Sequence, residues 1–478
     1  MHFPWWYVPG VTAPMLIAVV AVVHVLISHY AVGGGLFLAV ETSFAYRTGN
    51  RDYLAYLKRH ARFFVLLTVV MGAITGVAIW WTIGLASPLA TQVLIRTFVF
   101  AWATEYVFFV VEIASAFIFY YYWGRLPARV HTIIVWIYGL SAWASLVIIS
   151  AITAFMLNPG EWVQPQHRDF WTAIFNPQSL PQIISRTGGA LLLSSLYVYL
   201  HAAVVIKDAG LHALIESRST RPALLGALLI TLGGFLWNVY LPDSARAAMW
   251  AAPVLNVFMA LLFAATGVVF LLLFFGPYRN PGMIRSPGFA ACLFLFGITG
   301  FSTAEFIREA VRKPYVIYNV VLGNQVFATG DEAQRLKAEG YLEGGVWTKA
   351  FVRANYPGTL VDDPFGDVID PQRLLKLPRR DRIVLGGLIF QYHCNDCHAI
   401  AEGYSPVGPL VQGWSPAMIR ALVKDPDKTR FTMPPWWGTP EEADLLTEYL
   451  SSIAPMKPAG MAPGRGEPET APEAEVQP

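Results

Sequence analysis

"APMLIAVVAVVHVLISHYAVGGGLFLAVETSFA" (residues 13–45) is apolar throughout except for scattered small polar groups and three readily charged side chains, His24, His29 and Glu41. At about 1.5 Å of rise per residue, a helix of this length exceeds the roughly 30 Å of hydrocarbon in a bilayer. The run therefore predicts a membrane span. Seven further runs meet the same test, at about 63–85, 94–122, 131–157, 181–206, 223–241, 251–276 and 287–308. Hydrophobic residues make up 55% of the 478 and charged residues 14%, so most of the chain needs lipid as its solvent. A net charge of +2 gives no ground for a nucleic-acid partner.

Loop charge orients the spans. Arg47, Arg51, Lys58, Arg59 and Arg62 follow the first, Arg125 and Arg129 the third, Lys207, Arg218 and Arg221 the fifth, and Arg279 and Arg285 the seventh. The alternate loops carry little beyond Arg96, Arg168 and Arg246. The positive-inside rule then puts the N-terminus outside, and eight crossings return the C-terminus there. The first residues lack the basic stretch of a secretory signal and are expected to be structural. Trp5, Trp6, Trp80, Trp81, Trp162 and Trp250 mostly fall near the expected outer boundary, as in an interfacial aromatic belt.

The length calls for at least two folding units, and the second is read from "FQYHCNDCHAIAEGYSPVGPL" (390–410). Cys394, Cys397 and His398 form C-X-X-C-H, the signature of covalent attachment of a c-type haem, made in bacteria on the outer side of the inner membrane. Half of a zinc site is the competing reading, but no second cysteine pair follows. His398 is the expected proximal ligand and Met433, in "FTMPPWW", the expected sixth, with Met418 and Met456 as fallbacks. With "VGPL" and the Met-Pro-Pro turn, the segment resembles a class I cytochrome c. Cys292, alone in an apolar run, is expected to be packing. The chain thus divides into a transmembrane domain (1–311), an external connecting region (312–378) that includes a short exposed helix at "GDEAQRLKAEG", a cytochrome c domain (379–455) and a disordered tail (456–478).

Ionisable side chains inside a bilayer are costly and mark function. His24, Glu105 and Glu305 share the outer half of the predicted spans, and Glu112 follows Glu105 by seven residues on nearly the same helical face, about two turns deeper. A histidine and carboxylates at one level suit a buried metal or haem site with a proton path. Hydrogen-bonded polar residues that merely hold helices together are the plainer alternative. His29 lies about 140° around the helix from His24 and competes with it as a ligand. His201, His60 and His131 lie at inner helix ends, where solvation is expected.

"HVLISHYAVGGGLFLAVETSFAYRTGN", "MGAITG", "ATEYVFFVVEIAS", "FMLNP" and "AEFIREAVRKPY" together resemble subunit I of cytochrome bd-type oxidases over about residues 15–320. The resemblance implies His24 as the axial ligand of the oxygen-reactive haem, Glu105 as the carboxylate across it, Glu112 on the proton route and Glu305 as the ligand of a high-spin haem b. It departs from the family in two places. Where the family has the histidine of its low-spin haem, "NPQSLPQIISRTGG" offers Ser185 or Arg186, so Met259, His29 and His201 are further candidate ligands. The long quinol-binding loop is missing, the sixth and seventh spans being joined by "PDSARAAMW".

An all-α polytopic bundle is expected, with about eight helices, both termini outside, and a small periplasmic cytochrome c domain, in the bacterial inner membrane. Its expected role is to pass electrons from haem c to haem b, or haem d, for reduction of dioxygen to water, with nitric oxide as another diatomic substrate. A second, subunit II-like membrane protein, other c-type cytochromes and lipid are the implied partners. An electron conduit without oxygen chemistry and a non-redox transporter or scaffold with a cytochrome tail are the alternatives.

Overall fold

All eight expected spans are helices long and apolar enough to cross a membrane. The computed structural model describes residues 6, 8, 10–345, 347–364 and 366–453, so Trp5, Met456 and the tail lie outside the described residues. The spans are α1 (Ala13–Thr48), α2 (Arg51–Ala86), α3 (Val99–Tyr121), α4 (Ala128–Leu157), α5 (Ser179–Val205), α6 (Ala209–Val239), α7 (Pro253–Tyr278) and α8 (Pro287–Ala310). The chain is a multi-pass membrane protein with an all-α bundle.

Two spans start well before their apolar runs. The Asn50 side chain accepts a hydrogen bond from the Tyr53 amide at 2.9 Å and the Asp208 side chain from that of Leu211 at 2.7 Å, which satisfies helix-start donors that nothing inside the helix can reach. The helix then runs through polar turns before entering the apolar segment, and hydropathy alone misses that start.

α1 is the hub, packed against α2, α4, α5 and α8. Its Gly33-Gly34-Gly35 run makes the approach possible. A Cβ at Gly33 would enter the Ala190 carbonyl of α5, one at Gly34 would lie 2.8 Å from the Phe64 ring of α2, and one at Gly35 would enter the Tyr138 ring of α4. α5 and α6 cross by the same device, since a Cβ at Gly188 would sit 2.6 Å from the Gly226 carbonyl oxygen. Small residues at such crossings let backbones approach where lipid gives no hydrophobic drive. Cys292 is exposed on α8 rather than packed, because lipid solvates an apolar side chain as well as a core does. Trp162 is also no belt residue: it is buried against Phe155, ring centroids 4.9 Å apart.

Beyond α8 the chain forms two small antiparallel pairs, β1 (Tyr315–Ile317) with β2 (Val321–Leu322) and β3 (Leu360–Val361) with β4 (Val368–Ile369). The helices of this C-terminal unit include α9 (Asp331–Gly344), α10 (Arg379–His393), α11 (Pro416–Lys424) and α12 (Pro440–Ile453). α12 packs on both α10 and α11. One apolar core runs from Leu322 to Leu450, so the connecting region and the segment after residue 379 share it.

The unit is seated on the bundle. Val316, Ile317 and Val321 join Leu94, Phe98, Phe155 and Trp162 in one buried cluster. The Gln325 side-chain carbonyl accepts from the Leu89 and Ala90 amides at 3.1 and 3.3 Å. At the other end of the chain, the Tyr404 amide donates to the Gly10 carbonyl at 2.9 Å.

Candidate functional site

A cavity of about 1070 Å³ opens between α1, α2, α3, α4 and α8, apolar over most of its wall. His24, His29, Glu105, Glu112, Arg186 and Glu305 all line it. The sequence-selected groups therefore meet in one place. Met259 sits instead in an apolar cluster with Trp237 and Leu255, and His201 is likewise not on the cavity wall.

Hydrogen bonds fix the tautomers of both cavity histidines. The Thr75 hydroxyl donates to the Met71 carbonyl at 2.8 Å and so must accept from His24 Nδ1, 3.0 Å away. His29 Nδ1 faces the Val25 carbonyl at 2.9 Å, and a carbonyl only accepts. Each ring therefore carries its proton on Nδ1 and keeps the lone pair on Nε2, the arrangement that orients a metal-binding histidine. His29 Nε2 is buried with no hydrogen-bond partner among the described residues, while Phe301 packs edge-on to the ring at 4.7 Å.

The carboxylates differ in their surroundings. Glu105 accepts from the Ser145 hydroxyl at 2.8 Å, whereas Glu112 Oε1 is buried without a partner among the described residues. Glu305 is held by two guanidinium groups, Arg186 at 3.4 Å and Arg308 at 2.9 Å. Arg186 is thus a counter-ion to Glu305.

The charges continue to the end of α8 and into the turn that follows it. Glu309 pairs with Arg312, and Lys313 Nζ reaches Asp396 at 3.3 Å. Glu309, Arg312 and Lys313 also line the cavity. This row was missed in the sequence, although Glu305/Arg308 and Glu309/Arg312 carry the i,i+3 spacing of helical ion pairs.

Asp396 belongs to the Cys394–His398 turn that closes α10. Both thiols are free, and burial pushes Cys394 and Cys397 up to about 12. His398 donates from Nδ1 to the Ser405 carbonyl at 2.8 Å, again leaving Nε2 as the lone pair, and burial lowers its pKa. Burial would lower the Lys313 ammonium too, but the carboxylate of Asp396 beside it wins and holds it above its usual range. Met433 is half-buried, while Met418 is 52% exposed on α11.

Two inner-end histidines correct the expectation of solvation. His60 and His131 are both fully buried. His60 Nε2 meets the Tyr30 hydroxyl at 3.0 Å and its Nδ1 meets His201 at 3.2 Å. His131 Nε2 donates to the Phe119 carbonyl at 2.9 Å. Aromatic neighbours exclude water from both, a tertiary effect that helix position does not encode.

Residues 13–241 match the cytochrome bd terminal oxidase subunit I family. That family is one of oxidoreductases, and the matched stretch, just under half of the chain, contains His24, His29, Glu105, Glu112 and Arg186, while Glu305 and the C-terminal unit lie beyond it. The bd oxidase from Geobacillus thermodenitrificans has a similar fold, with a TM-score of 0.55 at 18% identity over 65% of this chain and 89% of that one. No curated protein matches the chain.

Proposed function

We propose that the chain is the haem-bearing subunit of a respiratory terminal oxidase that carries its own cytochrome c domain. The observation that carries the reading is a pair of histidines with unprotonated Nε2 atoms on the wall of one largely apolar cavity that four glutamates, Glu105, Glu112, Glu305 and Glu309, also line. This donor set fits haem b, or haem d, with His24 and Glu305 as iron ligands and His29 as a further nitrogen donor. In the C-terminal unit Cys394 and Cys397 would form the thioethers to haem c, and His398 Nε2 and Met433 would hold its iron.

When bound, the haems supply one-electron transfer and, at an iron with an open position, reduction of dioxygen to water. The chain's own groups do the rest. Glu105, hydrogen-bonded to Ser145, and Glu112, with an unpartnered oxygen, are spaced to hold and pass protons along one wall of the cavity. Apolar side chains from α1 and α2 make up much of its wall and disfavour water inside it. The C-terminal unit would lie on the outer side of the bacterial inner membrane, where haem c is attached and other c-type cytochromes could donate electrons. A subunit II-type membrane protein would complete the assembly.

Purified complex should contain covalent haem c and noncovalent haem by pyridine haemochrome assay, and should consume oxygen with reduced cytochrome c as donor. Both haem classes without oxygen uptake or carbon monoxide binding would replace this reading with that of an electron conduit. Absence of noncovalent haem would sink both.

A further inference from the structure

The charged row that begins on α8 and continues past its end connects the cavity wall with the C-X-X-C-H turn. Glu305, Arg308, Glu309 and Arg312 pair among themselves and with Arg186, and Lys313, still on the cavity wall, reaches out to Asp396. Asp396 is the residue between Asn395 and Cys397, inside the C-X-X-C-H turn itself. The contact is enclosed, with Lys313 17% and Asp396 9% exposed, so solvent screens it little and loss of one partner leaves the other charge stranded. The backbone is shaped to admit it. A Cβ at Gly323 would enter the Asp396 carboxylate, and the Gly323 amide donates to the Pro314 carbonyl at 2.8 Å, directly after Lys313.

We propose that Lys313 and Asp396 are a positioning pair that fixes the C-X-X-C-H turn against the cavity wall and thereby sets the rate at which electrons pass between the two haem sites. The proposal rests on the haem reading of the previous subsection. With both groups bound, the transfer would be of one electron from a ferrous haem held by Cys394, Cys397 and His398 to a ferric haem held in the cavity, the first being oxidised as the second is reduced. No bond or proton moves, and a one-electron donor such as a reduced c-type cytochrome restores the first iron. A freely tethered domain would transfer at a rate limited by its encounters with the bundle, whereas a turn held by an enclosed ion pair starts from the productive geometry.

The test uses the full-length complex, Lys313→Gln, and the exchanged pair Lys313→Asp with Asp396→Lys. Haemochrome assays come first, and a wild-type protein without covalent haem overturns the functional reading before any variant is made. With both haem classes present, a flash photoreductant loads the C-terminal haem and the arrival of the electron at the cavity haem is timed. Hydrogen–deuterium exchange of the 394–405 turn is followed alongside. K313Q should keep both haem contents, expose the turn to faster exchange and slow transfer several-fold, and the exchanged pair should recover part of both. Transfer at the wild-type rate in K313Q overturns the proposal, whatever the exchange shows.

Discussion

A histidine whose Nδ1 proton is already committed can offer only Nε2, and this rule links His24, His29 and His398 across two parts of the molecule. For His24 the commitment is made by Thr75, which points to a mild substitution. Thr75→Val keeps the shape and removes the acceptor. Haem retention, measured by titrating noncovalent haem back into stripped protein, should weaken by about 10–100-fold, as for other partners that orient metal-binding histidines. Unchanged affinity would detach His24 from that role. His393 supports a pH prediction of a different kind. Its Nδ1 accepts from the Tyr341 hydroxyl at 2.6 Å and the Asn324 amide at 3.1 Å, and burial, with His398 nearby, lowers its pKa to about 3. A base whose folded pKa lies below its unfolded value stabilises the fold above pH 6.5 and loses that contribution as pH falls toward 3. The C-terminal unit should therefore lose about 1.4 kcal/mol per pH unit below 6.5, measured by denaturant titration at stepped pH. His393→Gln should flatten that slope.

At the scale of elements, the helix crossings are the vulnerable points. Gly188→Leu would drive a side chain into the Gly226 carbonyl and the Leu229 side chain, and overpacking of this kind costs about 1–3 kcal/mol or more. Gly84→Leu on α2, where nothing lies within 4 Å of an added Cβ, is the control. Thermal unfolding in detergent should drop for the first and hold for the second. The spans themselves were legible because a bilayer imposes a length that only long apolar runs satisfy. Their polar first turns were not, since caps such as Asn50 act through one hydrogen bond and leave no trace in hydropathy. The ion-paired row from Glu305 to Lys313 could have been read from its charge spacing, but its partners Arg186 and Asp396 lie far away in the chain, and no local rule connects them.

At the scale of the whole molecule, the sequence marked a boundary near residue 379 by its motif, whereas packing draws a core that starts at Leu322. A haem motif announces itself in a few residues, but the surfaces that seat it come from the connecting region and from the top of the bundle. The site residues were legible because isolated charges in an apolar run are conspicuous. That they share one cavity follows only from how the helices cross. Removing Gln325's acceptor, by Gln325→Leu, would leave the Leu89 and Ala90 amides unsatisfied, a loss of about 1–3 kcal/mol. Limited proteolysis between residues 312 and 330 should then accelerate.

The contact between Gly10 and Tyr404 imposes a rule of parity. A chain that touches itself just before its first crossing and again after its last must have traversed the bilayer an even number of times, whichever leaflet the contact adjoins. An inserted or deleted crossing would strand the two partners on opposite sides of an insulating film and pull this clasp apart.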